Sequence, residues 1–323
     1  MTYNYSCYHF TDWINEGHIT QAEFIVIAVL NGVTILPNIF LNFMVLVSIW
    51  RTPTLHTPAL VLIFNLALSD LSVGFISQPV ILAWNALEFD AAKWPKLYCG
   101  LCVSFGFTST MFGSLSLLSL TAVAVDRYLA LRLHLRYSAV CTMKRSVDVC
   151  VALWVVSLCV AISWFLVGNT IFNIILNSCM AICFNIIISC YFHIYRILKK
   201  HQRQIRGAQT LGSFQNSTSQ FSSTSTASNV LTANIKQYQK SVIHSLYIYF
   251  FFILCYMPCS VALAYFELSR DNRRSPSFVK IFTCIVLANS AINPCIYCWK
   301  MRELRTAVRH TLLGLREITG IGG

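Results

Sequence analysis

The chain of 323 residues is 56% hydrophobic and only 11% charged, with a mean hydropathy of +0.61, which excludes an ordinary soluble globular protein. Its formal charge of +12 would suit a nucleic-acid binder, but no basic stripe with interleaved aromatics accompanies it. Fourteen cysteines would suit a disulfide or metal framework, yet most lie singly inside apolar runs, without metal-ligand spacing.

Residues 1–23 are polar and lack the charged start, short apolar core and small-residue cleavage site of a signal peptide, so the first apolar run is expected to act as its own signal. Within this segment Asn4-Tyr5-Ser6 forms a glycosylation sequon. A membrane span needs about 20 mostly apolar residues. Such runs occur at 24–50, 59–85, 99–125, 147–167, 170–197, 241–267 and 279–299, which predicts seven helices within 24–300. Only Gly168, Asn169 and Thr170 interrupt the fourth and fifth runs, so a tight turn is expected there.

Between the fifth and sixth runs, residues 207–234 are rich in Ser and Thr and carry no charge, a composition that predicts a disordered loop over 201–235. Beyond Trp299, within 301–323, Met301, Leu304, Val308, Leu312 and Leu315 recur on one helical face, with Arg302, Arg305, Arg309 and Arg316 elsewhere. That pattern predicts a short amphipathic helix along the inner membrane surface. With residues 1–23 outside, eighteen of the 24 Lys and Arg fall on the cytoplasmic side. The positive charge is thereby read as topology, with Asn4 outside and the second sequon, at Asn216, inside.

Asp70 lies in mid-membrane, where an ionisable group is a functional candidate by default. Asp126 and Arg127 end the third apolar run, where charges reach water or headgroups. Pro258 and Pro294 fall inside predicted helices, where each removes a backbone hydrogen bond and creates a kink about which the helix can move. Cys7, Cys99 and Cys102 are the cysteines placed where an oxidising exterior could bridge them.

In order along the chain stand Asn42 with Val45, Asn65-Leu66-Ala67-Leu68-Ser69-Asp70, Asp126-Arg127-Tyr128, Trp154 and Tyr191. Phe252 with Cys255-Tyr256-Met257-Pro258 and Asn289-Ser290-Ala291-Ile292-Asn293-Pro294-Cys295-Ile296-Tyr297 follow. This set resembles the rhodopsin-like family of G-protein-coupled receptors, and the resemblance runs from the first helix to the surface helix. It implies an all-α membrane protein, a seven-transmembrane helix bundle with a short surface helix. It further implies an activation switch of Asp126, Arg127, Tyr128, Tyr191, Phe252, Tyr256, Pro258, Asn293, Pro294 and Tyr297. In the resting state Asp126 would pair with Arg127. Asp70, Asn42, Ser116, Asn289 and Asn293 correspond to the family's sodium pocket, so an allosteric sodium ion is the one cofactor-like group expected.

By the same alignment Ser109, Thr110, Gly113, Cys259, Ser260, Leu263, Thr283 and Leu287 would line a neutral, largely apolar ligand pocket. Ser109 stands where amine receptors carry an aspartate, and Leu287 where opsins carry the retinal lysine. An amine or retinal is therefore disfavoured, leaving a small neutral, lipid-like or peptide ligand. Cys102 matches the family's bridging cysteine, but the second outer loop has none to meet it, so Cys7 or Cys99 are substitutes. Tyr256 replaces the usual Trp, Cys183 a common Pro, and Tyr238 an acid that often locks Arg127, departures that imply some basal activity.

The expected function is a plasma-membrane receptor with no enzymatic chemistry. Its implied partners are an outer ligand, a heterotrimeric G protein, receptor kinases and arrestin, and membrane lipids, with no nucleic acid. A multi-pass transporter or channel is the alternative, but no inverted repeat is visible and the spans carry few ionisable groups beyond Asp70. An intramembrane enzyme would need paired acids, a metal motif or a nucleophile with its base, and none stands at a common depth.

Overall fold

The computed structural model describes residue 7 and residues 19–91, 93–215, 250–265 and 277–319. Among these there are only helices, turns and short connections. The helices are α1 (Gln21–Arg51), α2 (Pro58–Asp90), α3 (Pro95–Leu133), α4 (Met143–Leu166), α5 (Asn169–Gln215), α6 (Phe250–Tyr265), α7 (Ser277–Lys300) and α8 (Arg302–Thr319). Six of them are long and apolar enough to cross a bilayer, and α6 is a shorter apolar helix. Together α1 to α7 form the expected seven-helix bundle. The sequon at Asn4, Tyr238 and residues 216–249 lie outside the described residues.

The helices start where the sequence supplies caps. Thr20 and Glu23 cap α1 reciprocally, the Glu23 amide donating to Thr20 Oγ1 at 3.2 Å and the Thr20 amide to Glu23 Oε2 at 2.7 Å. Thr57 and Thr142 accept from the third amide of α2 and α4, satisfying donors that no helical carbonyl can reach. In α2 the turn over Val73–Ser77 widens to a π-helix just before Pro79, whose ring carries no amide hydrogen. The widened turn sits where Gly74 meets α1: a Cβ there would stand 3.0 Å from Asn38 Nδ2.

α4 and α5 are separated only by Val167 and Gly168, the tight turn expected from the sequence. α5 then runs 47 residues, about 70 Å at 1.5 Å per residue and far more than a bilayer core of about 30 Å. Residues 201–215 are thus helical, which corrects the expected start of the disordered loop at 201. The apolar run of α5 ends near Lys200, but good helix formers such as Gln202, Arg203 and Gln204 let the helix continue into water.

α3 is the central strut, packing on α2, α4 and α5, while α1 packs on α2 and α7. Leu66, Leu115, Leu120, Ala124, Ile194 and Phe252 are buried inside the bundle. Outward-facing side chains are as apolar as the core: Leu36 is 73% and Leu166 78% exposed. Such a surface is unfavourable in water and suits hydrocarbon. α8 docks on α1 through Leu304, Ala307 and Thr311, and Ser48 Oγ donates to Thr311 Oγ1 at 3.1 Å. Leu312, one of the apolar residues expected to face the membrane surface, is exposed beside Leu313.

Candidate functional site

Three polar or hollow levels are stacked along the bundle. The first, at the end of the bundle where α1 begins and termed the outer level, is a cavity of about 240 Å³ bounded by α2, α3, α4, α5, α6 and α7. All eight residues expected to line a pocket, Ser109, Thr110, Gly113, Cys259, Ser260, Leu263, Thr283 and Leu287, face it. Its hydroxyls are largely occupied by their own helices. Ser109 donates to the Gly106 carbonyl at 3.3 Å, Ser260 to Tyr256 O at 3.1 Å and Thr283 to Val279 O at 2.8 Å. The wall consequently presents mostly carbon, including the rings of Phe105, Trp164 and Phe172.

The expectation of a neutral pocket is corrected at its outer end. Lys280, 3% exposed, lines the cavity, and its ammonium donates to Glu88 Oε2 at 2.5 Å and lies 4.5 Å from the centre of the Trp84 ring. Glu88 Oε1 accepts the Ile19 amide at 3.1 Å, so the same carboxylate holds the chain entering α1. Sequence reading missed the pair because its members are separated by 192 positions. The one legible signal was a lone Lys just inside a span.

Cys7 and Cys99 form a disulfide that ties the segment before α1 to the outer end of α3. Cys102 is a free, buried thiol that lines the cavity, which corrects its candidacy as a bridging cysteine. One turn separates Cys99 from Cys102, and the inward position belongs to Cys102.

The middle level surrounds Asp70, which is fully buried. Its Oδ1 accepts from Ser116 Oγ at 3.2 Å and its Oδ2 from Asn293 Nδ2 at 2.8 Å, joining α2, α3 and α7. Asn42 and Asn289, expected in the same shell, do not bond to Asp70. Asn42 Nδ2 donates instead to Asn38 Oδ1 at 2.7 Å and to the Ser290 carbonyl at 3.2 Å. That carbonyl lacks its helical donor because residue 294, four positions on, is proline. Asn38 extends the cluster to Gln78, and Gln78 to Thr34, a polar seam between α1 and α2 that sequence reading also missed. The spacing of Asn31, Asn38 and Asn42 along one face of α1 was its signal.

At the inner level Asp126 Oδ1 accepts from Tyr137 Oη at 2.6 Å, Tyr137 standing in the one-turn helix Tyr137–Val140. Burial, and then the Asp126 carboxylate beside it, push the Tyr137 phenol above its ordinary range. The expected Asp126–Arg127 pair is not formed, because consecutive helical residues point about 100° apart and a hydroxyl from the next connection reaches the carboxylate first. Tyr128 accepts from Arg132 Nη1 at 3.0 Å. Tyr191 and Tyr297 are buried on α5 and α7, and Pro294 is buried within α7. Above them Phe252 and Tyr256, one turn apart on α6, stack at 3.9 Å with ring planes 14° apart. Tyr256 lines the cavity and Pro258, half-buried, follows it, so the ring stack joins the outer level to the inner core. Trp154 Nε1 donates to Asn65 Oδ1 at 2.9 Å, and Asn65 Nδ2 to Ser119 Oγ at 2.8 Å, fastening α4, α2 and α3.

The sequence pattern of the 7 transmembrane receptor (rhodopsin family) matches residues 41–180 and 169–297, most of the chain and all three levels. The chain belongs to that family. Among curated relatives, this receptor is 31% identical over 147 residues to the 5-hydroxytryptamine receptor 1D of Mus musculus, covering 46% of this chain and 38% of the relative. It is 24% identical over 309 residues to the histamine H2 receptor of Cavia porcellus, covering 88% and 78% respectively. It is 25% identical over 333 residues to melanopsin of Rattus norvegicus, covering 96% and 65%. The matched stretches therefore span less than two thirds of the first and third relatives' own length.

Proposed function

We propose that this receptor sits in the plasma membrane with residues 1–23 outside, takes a ligand into the outer cavity, and promotes nucleotide exchange on a heterotrimeric G protein at its inner face. The observation that carries this reading is the continuity of the three levels. Ser116 both lines the cavity and donates to Asp70, and Tyr256 both lines the cavity and stacks on Phe252. A ligand that differs in affinity between two arrangements of these side chains shifts the bundle toward the one it favours. Arg127, one position from the Tyr137-bound carboxylate, is the residue offered to the G protein. A sodium ion at Asp70 would favour the resting arrangement, a carboxylate in the membrane being stabilised by a cation. Receptor kinases acting on the hydroxyls from Ser217 to Ser228 would create an arrestin-binding surface. The device is a switch, with no chemistry of its own.

The lining argues about the ligand. A cationic amine, of the kind for which the serotonin and histamine relatives are named, would need a carboxylate in the cavity, and the described lining has none. A retinal lysine is replaced by Leu287, and the ammonium of Lys280 is engaged by Glu88. Expressing the chain with an N-terminal epitope tag, and challenging intact cells with lipids, nucleosides and small peptides under several G-protein reporters, tests the reading. A tag reached only after permeabilisation, or signalling unchanged by Arg127→Ala, would overturn it.

A further inference from the structure

Lys280 is the single formally charged side chain in the described lining of an otherwise carbon-rich cavity. Its ammonium carries three N–H donors. One meets Glu88 Oε2, and the indole face of Trp84 offers π density but no lone pair. At 3% exposure water is almost excluded, so donor capacity is left over on a buried cation. Burying two ions costs several kcal/mol each, a cost that packing alone would be served better without, since an apolar pair of similar volume is often as stable.

Glu88, equally buried in the last turn of α2, has a second partner independent of Lys280, the Ile19 amide. The carboxylate can therefore leave the ammonium without losing every partner. The cavity that Lys280 lines is walled also by Phe105, Trp164 and Leu287, a lining suited to hydrocarbon.

We infer that Lys280 is the anchor for the anionic head of an amphiphilic ligand, a carboxylate or phosphate carried on an apolar body, which displaces Glu88 from the ammonium. This deepens the reading of the cavity as the ligand site and rests on it. Exchange of one anion for another on Lys280 also explains how such a ligand acts on the outer face: Glu88, once released, keeps only the Ile19 amide of its two partners. Binding thus loosens the contact between α2 and α7 and alters how the segment before α1 is held. A neutral ester gains no comparable attraction and leaves the Glu88 pair in place. A cationic amphiphile is repelled by the one charge it would meet.

The test uses the full-length receptor in nanodiscs of neutral lipid. Straight-chain carboxylates from butanoate to hexadecanoate and the matching alkyl phosphates are compared with their methyl esters and with alkyltrimethylammonium ions, by displacement of a fluorescent fatty acid. The two anionic series distinguish a carboxylate ligand from a phosphate one. At least one anionic series should bind the wild type, with the esters and cations weaker. Lys280→Met should weaken that binding about 30-fold or more, the scale for losing one partner of a buried charged contact. Glu88→Gln should tighten it, because it removes the competing anion and keeps the side chain's volume and its acceptor for Ile19.

The Glu88→Gln/Lys280→Met double variant leaves no lone buried charge and checks that the fold survives; it should melt near the wild type and bind like Lys280→Met. A purely structural pair predicts the opposite for Glu88→Gln, equal loss with Lys280→Met, and that result would overturn the proposal. Equal binding of ester and acid, or no binding by either anionic series, would also overturn it. Anion binding with this signature in a receptor that drives no nucleotide exchange would sustain the anchor and sink the signalling role instead.

Discussion

Replacing Gly106 by Ala probes the wall shared by the cavity and the α3–α4 interface. An added Cβ at residue 106 would lie 1.9, 2.5 and 2.6 Å from three ring carbons of Trp164, where ordinary contact is 3.4–4 Å. The indole must therefore retreat by more than 1 Å, and it is 7% exposed and packed on Phe165 and Phe172 at ring separations of 5.5 and 6.1 Å. Overpacking of this kind costs about 1–3 kcal/mol. Gly106→Ala should accordingly lower the melting temperature in nanodiscs and, because Trp164 and Phe172 line the cavity, weaken any ligand response. Trp164→Leu in the same background should restore part of the loss, although on its own it removes a large buried ring and destabilises. Thermal melts of the four proteins of that double-mutant cycle give the coupling. A Gly106→Ala receptor as stable as the wild type, or no positive coupling with Trp164→Leu, would refute the packing argument.

Tyr137→Phe removes the hydroxyl that Asp126 Oδ1 accepts from, in a half-buried setting worth about 1 kcal/mol; basal signalling should rise with surface expression unchanged, and basal signalling at or below wild type would contradict it. Asp70→Asn should abolish any effect of sodium on agonist affinity, and an unaltered sodium response would rule the carboxylate out as an ion site. Cys7→Ser should lower thermal stability by something on the order of 2–5 kcal/mol, whereas Cys102→Ala should leave the Cys7–Cys99 linkage intact by peptide mapping. A Cys102–Cys99 or Cys102–Cys7 peptide would contradict that assignment.

The fold was legible because membrane insertion writes itself in composition: a run of about 20 apolar residues has few other uses. The turn at Gly168 follows from local chemistry. What escaped the sequence depends on which way side chains point and on contacts between distant segments. Asp126 and Arg127 were paired by resemblance, yet consecutive helical residues point apart and Asp126 accepts from Tyr137 instead. Asn42 was placed near Asp70 by resemblance, but Pro294 frees the Ser290 carbonyl, and that local acceptor wins. Lys280 and Glu88 stand 192 positions apart, and no local pattern joins them. Only the packing of α7 against the end of α2, under the residues before α1, makes them a buried pair beside the cavity.

The central claim is that the outer cavity governs an inner face able to activate a G protein through Arg127. Purified receptor in nanodiscs, mixed with heterotrimers from each main G-protein class, can be followed by GTP-analogue uptake with and without activating ligand, for wild type and Arg127→Ala in parallel. The account predicts uptake above the receptor-free rate for at least one heterotrimer with wild type, and none with Arg127→Ala at equal receptor and equal ligand occupancy. Equal uptake by the two receptors would contradict it.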